Sequence, residues 1–123
     1  MRITFNGEDQ AIASIEELGF ALDRFDAESS FEMWIATDDG PSMTMLRNGD
    51  HAWPMYLRFN GDSGFVTRGD QGREGVGAFE LSNGQIDEYP LSWCVDLERC
   101  YKAIAYFFVN DGAQYSFIEW QAA

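Results

Sequence analysis

The sequence predicts an α+β domain: an antiparallel β-sheet of about six to eight strands in meander-like order, with two main α-helices packed mostly on one face. Three observations predict it. Short apolar segments alternating with period two recur along the chain, separated by turns rich in Gly, Asn and Asp. Two longer stretches space their apolar residues three and four apart, which gives a helix one buried stripe. No repeat, proline-rich linker or low-complexity block interrupts the 123 residues, so 1–123 reads as one domain. That length buries roughly two thirds of the surface an unfolded chain exposes.

The elements follow in order. "RITF" opens as a short strand closed by Asn6-Gly7. Ser14 and Glu17 then have capping-box spacing, with a hydroxyl for one orphan N–H and a carboxylate for the reciprocal bond. The helix they start carries Ile15, Leu18, Leu22 and Phe25 on one stripe, and the polar run "DAESS" ends it. "FEMWIAT" places Phe31, Met33 and Ile35 on one strand face and Trp34 and Ala36 on the other. Asp38-Asp39-Gly40-Pro41 turns the chain into "SMTML", and "NGDHA" connects that strand to "WPMYLRF", where Trp53, Met55, Leu57 and Phe59 alternate inward. Pro54 has no N–H to donate, which suggests an edge or a strand start.

Further on, "GAFEL" and "QIDEY" flank Asn83-Gly84, a dipeptide that tolerates positive φ at both positions of a tight hairpin turn. Asp96 caps a second helix, with Glu98 in its first turn and Leu97, Cys100, Tyr101, Ile104 and Phe108 on one face. Asn110-Asp111-Gly112 stops it. The closing segment "QYSFIEW" is apolar on both faces, Tyr115 and Phe117 on one, Ile118 and Trp120 on the other. This predicts a central strand with Trp120 in the core.

Composition narrows the function. With 46% hydrophobic residues and 15% aromatics, the chain has ample material for a core. Twenty-one acids against eight Lys plus Arg leave a net charge of −13, a strongly one-signed surface. Such a surface repels nucleic acid, whose binding requires cations against phosphate, and is equally unsuited to an anionic membrane. It suits a basic protein partner, or serves solubility alone. No apolar run approaches the ~18 residues of a membrane span and "MRITFNGEDQ" has no signal-type apolar core, so a cytoplasmic location is expected. The chain is taken as a monomer. Cys94 and Cys100 match no zinc spacing beside a single His51 and are expected as buried free thiols, with no metal and no cofactor.

The stretch "RFNGDSGFVTRGDQGREGVG" (58–77) invites a calcium reading, since Asp and Gly dominate calcium loops. "DSGFVTRGDQGR" fails as an EF-hand: Gly and Val stand at the third and fifth positions, where oxygen ligands belong, Thr where the loop needs Gly, and Arg where the closing Glu does. Asp62, Asp70 and Glu74 read first as turn residues. His51 follows Asp50, but no Ser or Cys lies in a nucleophile motif, and with so many acids no particular carboxylate pair carries meaning. The chain is therefore not expected to be an enzyme. Binding remains. Acids in "TDDGP", "NGDHAWP" and "NGDSGFVTRGDQGRE" make Asp38, Asp39, Asp50, Asp62, Asp70 and Glu74 the candidate partner-binding residues, forming a rim around Trp53 as aromatic anchor. The rim requires the turns of successive antiparallel strands to gather at one sheet end. The other reading of the same residues is solvated turns over a buried Trp53.

The last third, "SWCVDLERCYKAIAYFFVNDGAQYSFIEWQ", resembles the closing segment of the immunity protein one family of bacterial polymorphic toxin systems. In that family an acid-capped helix with an aromatic near its end leads through a glycine to a final strand ending in Glu-Trp or a similar pair. Here these features are Asp96, Phe107 or Phe108, Gly112 and Glu119-Trp120. "GAFELSNGQIDEYPLSW" resembles the family's hairpin and its approach to that helix, while "AQY" stands where the family usually turns with a proline. The resemblance implies a small non-enzymatic protein that binds and blocks a cognate toxin, often a deaminase or nuclease acting on nucleic acid. An acidic protein in a toxin's basic cleft would imitate the phosphate backbone. The competing expectations are a small acidic adaptor or scaffold and, more distantly, a hydrolase using paired carboxylates.

Overall fold

A computed structural model describes residues 1–38 and 40–123. The chain runs β1 (Arg2–Phe5), β2 (Glu8–Ala11), α1 (Ile15–Asp26), β3 (Ser30–Ala36), β4 (Ser42–Asn48), β5 (His51–Leu57), β6 (Phe65–Thr67), β7 (Val76–Glu80), β8 (Ile86–Pro90), α2 (Leu97–Val109) and β9 (Trp120–Ala122). Seven strands form one antiparallel sheet in the order β2-β1-β3-β4-β5-β6-β9, and β7 and β8 pair separately as a hairpin. The fold is the predicted α+β class.

Strand alternation assigns the two faces. Phe31, Met33 and Ile35 of β3, Met43 and Met45 of β4, and Ala52 and Tyr56 of β5 form one core with Leu18, Ala21 and Phe25 of α1 and Cys100, Ala103, Ile104 and Phe107 of α2. Both helices therefore pack on the same face. The residues one step out of phase, Leu46, Trp53 and Val66, form a second core with Phe79 of the hairpin and Cys94. β4 and β5 are covered on both faces; β5 accordingly reads as a nearly continuous apolar run, whereas β4 buries Thr44 and Arg47 among its methionines. Cys94 and Cys100 are buried and free.

Local chemistry explains the ends of the elements. Ser14 Oγ accepts from Glu17 N–H at 3.1 Å, and the Glu17 carboxylate accepts from Ala13 N–H at 2.9 Å, one residue before the expected partner. Asp96 Oδ1 accepts from Arg99 N–H at 2.7 Å and caps α2. Arg47 projects from β4 on the helix face and donates to the Asp26 and Glu28 carbonyls, to Asp26 Oδ1 and to the Gly49 carbonyl. One guanidinium so ties the end of α1 to the β4–β5 turn.

Three expectations need correction, and one strand was not expected. The hairpin turn is a three-residue loop, Ser82-Asn83-Gly84, closed by Leu81 N–H on Gln85 O at 2.8 Å. Only Gly84 has positive φ, +86°, while Asn83 instead accepts from Gln85 N–H through its side chain. Pro54 lies in an inner strand, where the β5–β6 ladder stops after Met55 and Tyr56 because proline has no N–H to continue it. A polar edge strand, β2, went unpredicted because "EDQA" has no apolar alternation; its charges suit an edge that must not pair further. Finally, "QYSFIEW" is not a central strand. Only Trp120–Ala122 pairs, with β6 at the sheet edge, and residues 115–119 form an irregular turn. The two-sided apolar pattern arises because Tyr115 and Ile118 lean on the helix-side core, whereas Phe117 is 79% exposed. Trp120 is half-buried, its Nε1–H donating to Tyr115 O at 2.7 Å.

Candidate functional site

In an antiparallel meander the turns alternate between the two ends of the sheet, so only every second turn shares an end. The residues after β3 and those between β5 and β6 lie at one end, and the β4–β5 turn and the residues after β6 lie at the other. The single acidic rim therefore divides. Asp38 and Asp62 belong to the first end; Asp50, Asp70 and Glu74 belong to the second; Asp39 lies outside the described residues.

Trp53 does not anchor either group. It is 3% exposed, packed edge-on against Phe79, Tyr89 and Trp93 with ring centroids 6.3, 4.8 and 5.3 Å away. Its Nε1–H has no hydrogen-bond acceptor among the described residues. β5 faces a core on each side, so its tryptophan was buried whichever phase it took.

Nor is Asp62 free for a partner. Its side chain is 2% exposed and takes a bidentate grip from Arg58 at 2.9 and 2.9 Å, plus the Arg58 N–H at 3.0 Å. Those bonds hold its carboxyl well below the usual carboxylate range. Asp70 is exposed, and its Oδ1 accepts from Gly72 N–H at 2.9 Å, a turn of the side-chain type. Asp38, Asp50 and Glu74 are exposed. His51 pairs not with Asp50 but with Arg73, whose Nη2 donates to its Nδ1 at 2.9 Å.

Stretch 58–77 is thus mainly backbone chemistry. Gly69 illustrates it: its N–H donates to Ser92 O at 2.8 Å, and a Cβ there would run into the Cys94 carbonyl oxygen. The acid-glycine pattern that suggests a cation loop instead lets the chain press against the segment before α2. Among the described residues, no three His, Cys, Asp or Glu side chains converge as a metal-holding group.

A concavity of about 620 Å³ is an open groove at the α2 N-terminus lined by Arg68, Asp70, Asp96, Arg99, Phe117 and Glu119, among others. Charges of both signs meet there, and Arg68 is the one base whose side chain has no acceptor among the described residues. Cys94 contributes to the lining, but burial pushes its thiol up and away from the thiolate form.

One surface went unmarked at the sequence level: the outward side of the β7–β8 hairpin, where Val76 and Ile86 are 54% and 65% exposed. The available signal was phase, since Phe79 and Tyr89, if buried, force Ile86 outward. No helix is long and apolar enough to cross a membrane among the described residues. No family model matches the chain, and no curated protein matches it.

Proposed function

We propose that this chain is a cytoplasmic immunity protein that binds and neutralises a cognate bacterial toxin domain acting on nucleic acid, such as a deaminase or nuclease. The observation that carries this reading is how its charge is distributed. Five of the eight bases already pair with carboxylates of the same chain, Arg2 with Asp9, Arg47 with Asp26, Arg58 with Asp62, Arg99 with Asp96 and Lys102 with Glu98. With a net charge of −13, most of the remaining acids have no internal cation to neutralise them. A basic cleft built to hold phosphates is the complementary surface. The resemblance of the last third of the chain to immunity proteins supports the same reading. The structure keeps the order of Asp96-capped α2 and Gly112, whereas its last strand begins at Trp120 instead of ending there.

The test is co-production in bacteria with candidate nucleic-acid-targeting toxin domains, sought first among the products of genes adjacent to this chain's. Growth is expected to be restored by the chain and not by an unrelated domain of equal size and net charge. Equal rescue by both, or rescue by neither, contradicts specific immunity.

A further inference from the structure

We propose that the outer face of the β7–β8 hairpin is the surface that docks the basic partner, with Val76 and Ile86 as apolar anchors flanked by Glu80 and Glu88. This rests on the immunity reading and locates it. The hairpin is amphipathic in an inverted sense. Its inner face carries Gly77, Phe79, Asp87 and Tyr89, and its outer face carries Val76, Ala78, Glu80, Ile86 and Glu88. A hairpin with one solvated side ordinarily turns its acids out and its isoleucine in. Here Asp87 is turned in, its carboxylate accepting from Gln85 Nε2 at 2.6 Å and Tyr89 OH at 3.1 Å, while Ile86 stands 65% exposed.

The register interleaves the two chemistries. Val76 lies opposite Pro90, Ala78 opposite Glu88 and Glu80 opposite Ile86, so each acid has an apolar neighbour across the strand pair. Neither strand carries a base. Apolar centre and acidic flank together select a partner surface with an apolar spot among Lys and Arg, and they disfavour an acidic one. Phe20 on α1 and Phe117 at the groove are also exposed, but neither belongs to a paired strand face, and Phe117 borders Arg68 and Arg99.

The backbone adds to the side chains. Leu81 N–H bonds Gln85 O and Leu91 N–H bonds Gly75 O, which makes the odd-numbered residues the hydrogen-bonded pairs. The N–H and C=O groups of Ile86 and Glu88 consequently point away from β7, and no strand among the described residues pairs with that edge. On the opposite edge the Ala78 carbonyl is taken by Asn48 Nδ2 at 2.8 Å. The hairpin thus meets its own sheet on one edge, through the Ala78 carbonyl and the Ser82 N–H, and leaves the other open to a partner.

The experiment measures affinity of the purified toxin domain against which the chain protects growth for wild type, for Val76→Ser/Ile86→Ser, and for Phe20→Ser and Phe117→Ser. The hairpin variant should lose at least about tenfold in affinity with an unchanged melting temperature, and the other two should bind as wild type. Equal binding by the hairpin variant, or a loss confined to Phe20→Ser or Phe117→Ser, overturns the assignment while leaving the immunity reading intact. A wild-type chain that does not bind overturns both. Hydrogen exchange on the wild-type complex is independent of how the variants fold. Slowed exchange at the Ile86 and Glu88 amides is expected, and unchanged exchange there overturns the docking face.

Discussion

Phe79→Ala is expected to cost roughly 3–5 kcal/mol, the largest loss from any single truncation of the hairpin. Phe79 is fully buried where the hairpin packs on the sheet, edge-on to Trp53 and 6.1 Å from Tyr89. A two-stranded hairpin is marginal by itself, so β7 and β8 depend on this inner face for their order. Leu46, Trp53 and Val66 would lose the ring that covers them, and Gly77 beside it offers no side chain to fill the space. Urea unfolding checks the prediction. A loss under about 1 kcal/mol would mean that the second core collapses onto the cavity and that Phe79 is not what holds the hairpin down.

Arg47→Met comes next, at about 3 kcal/mol, because its side chain is buried and its donors satisfy groups from three segments. The guanidinium donates to Asp26 O at 3.1 Å, Glu28 O at 3.0 Å and Gly49 O at 2.9 Å, and lies 5.9 Å from the Phe31 ring centroid. Methionine keeps the stem's packing and removes every donor. The carbonyls then need water at the junction of α1, β3 and the β4–β5 turn. The Asp26 carboxylate contributes less. It is half exposed, and Asp26→Asn keeps an oxygen for both Arg47 and the Tyr101 hydroxyl, which donates to it at 2.8 Å. That variant should cost under about 1 kcal/mol. Thermal melts of the two separate the roles, and equal losses would place the energy in the ion pair rather than in the carbonyl clamp.

Residues whose local chemistry had one solution were legible in the sequence. Ser14, Asp96 and Asn110-Asp111-Gly112 each bound a helix because capping and stopping depend on the nearest few residues. Strand phase was legible wherever one face was apolar, as for Phe31, Met33 and Ile35. It failed where both faces were. Trp53, Met55, Leu57 and Phe59 were read as the inward set, although Ala52 and Tyr56 pack in the helix-side core and Phe59, beyond the end of β5, is exposed. The final segment misled for the same reason, since an apolar pattern on two sides describes a central strand and a turn draped over a core equally well. The candidate rim was illegible because whether two turns share an end depends on strand order, which no local spacing encodes. Asp62 shows the limit at one residue: as a letter it is an acid in a loop, and in space it is the acceptor for Arg58 four residues earlier.

The most direct test of the central claim, recognition of a basic toxin through surplus negative charge, is the association rate with that toxin domain as salt is raised. Between about 0.05 and 0.5 M ionic strength the Debye length shrinks roughly threefold, so steering by unpaired carboxylates weakens steeply. The association rate constant is expected to fall at least about tenfold across that range, with a much smaller change in dissociation. An association rate that stays flat while binding persists would contradict electrostatic recognition and leave the −13 charge a property of solubility alone.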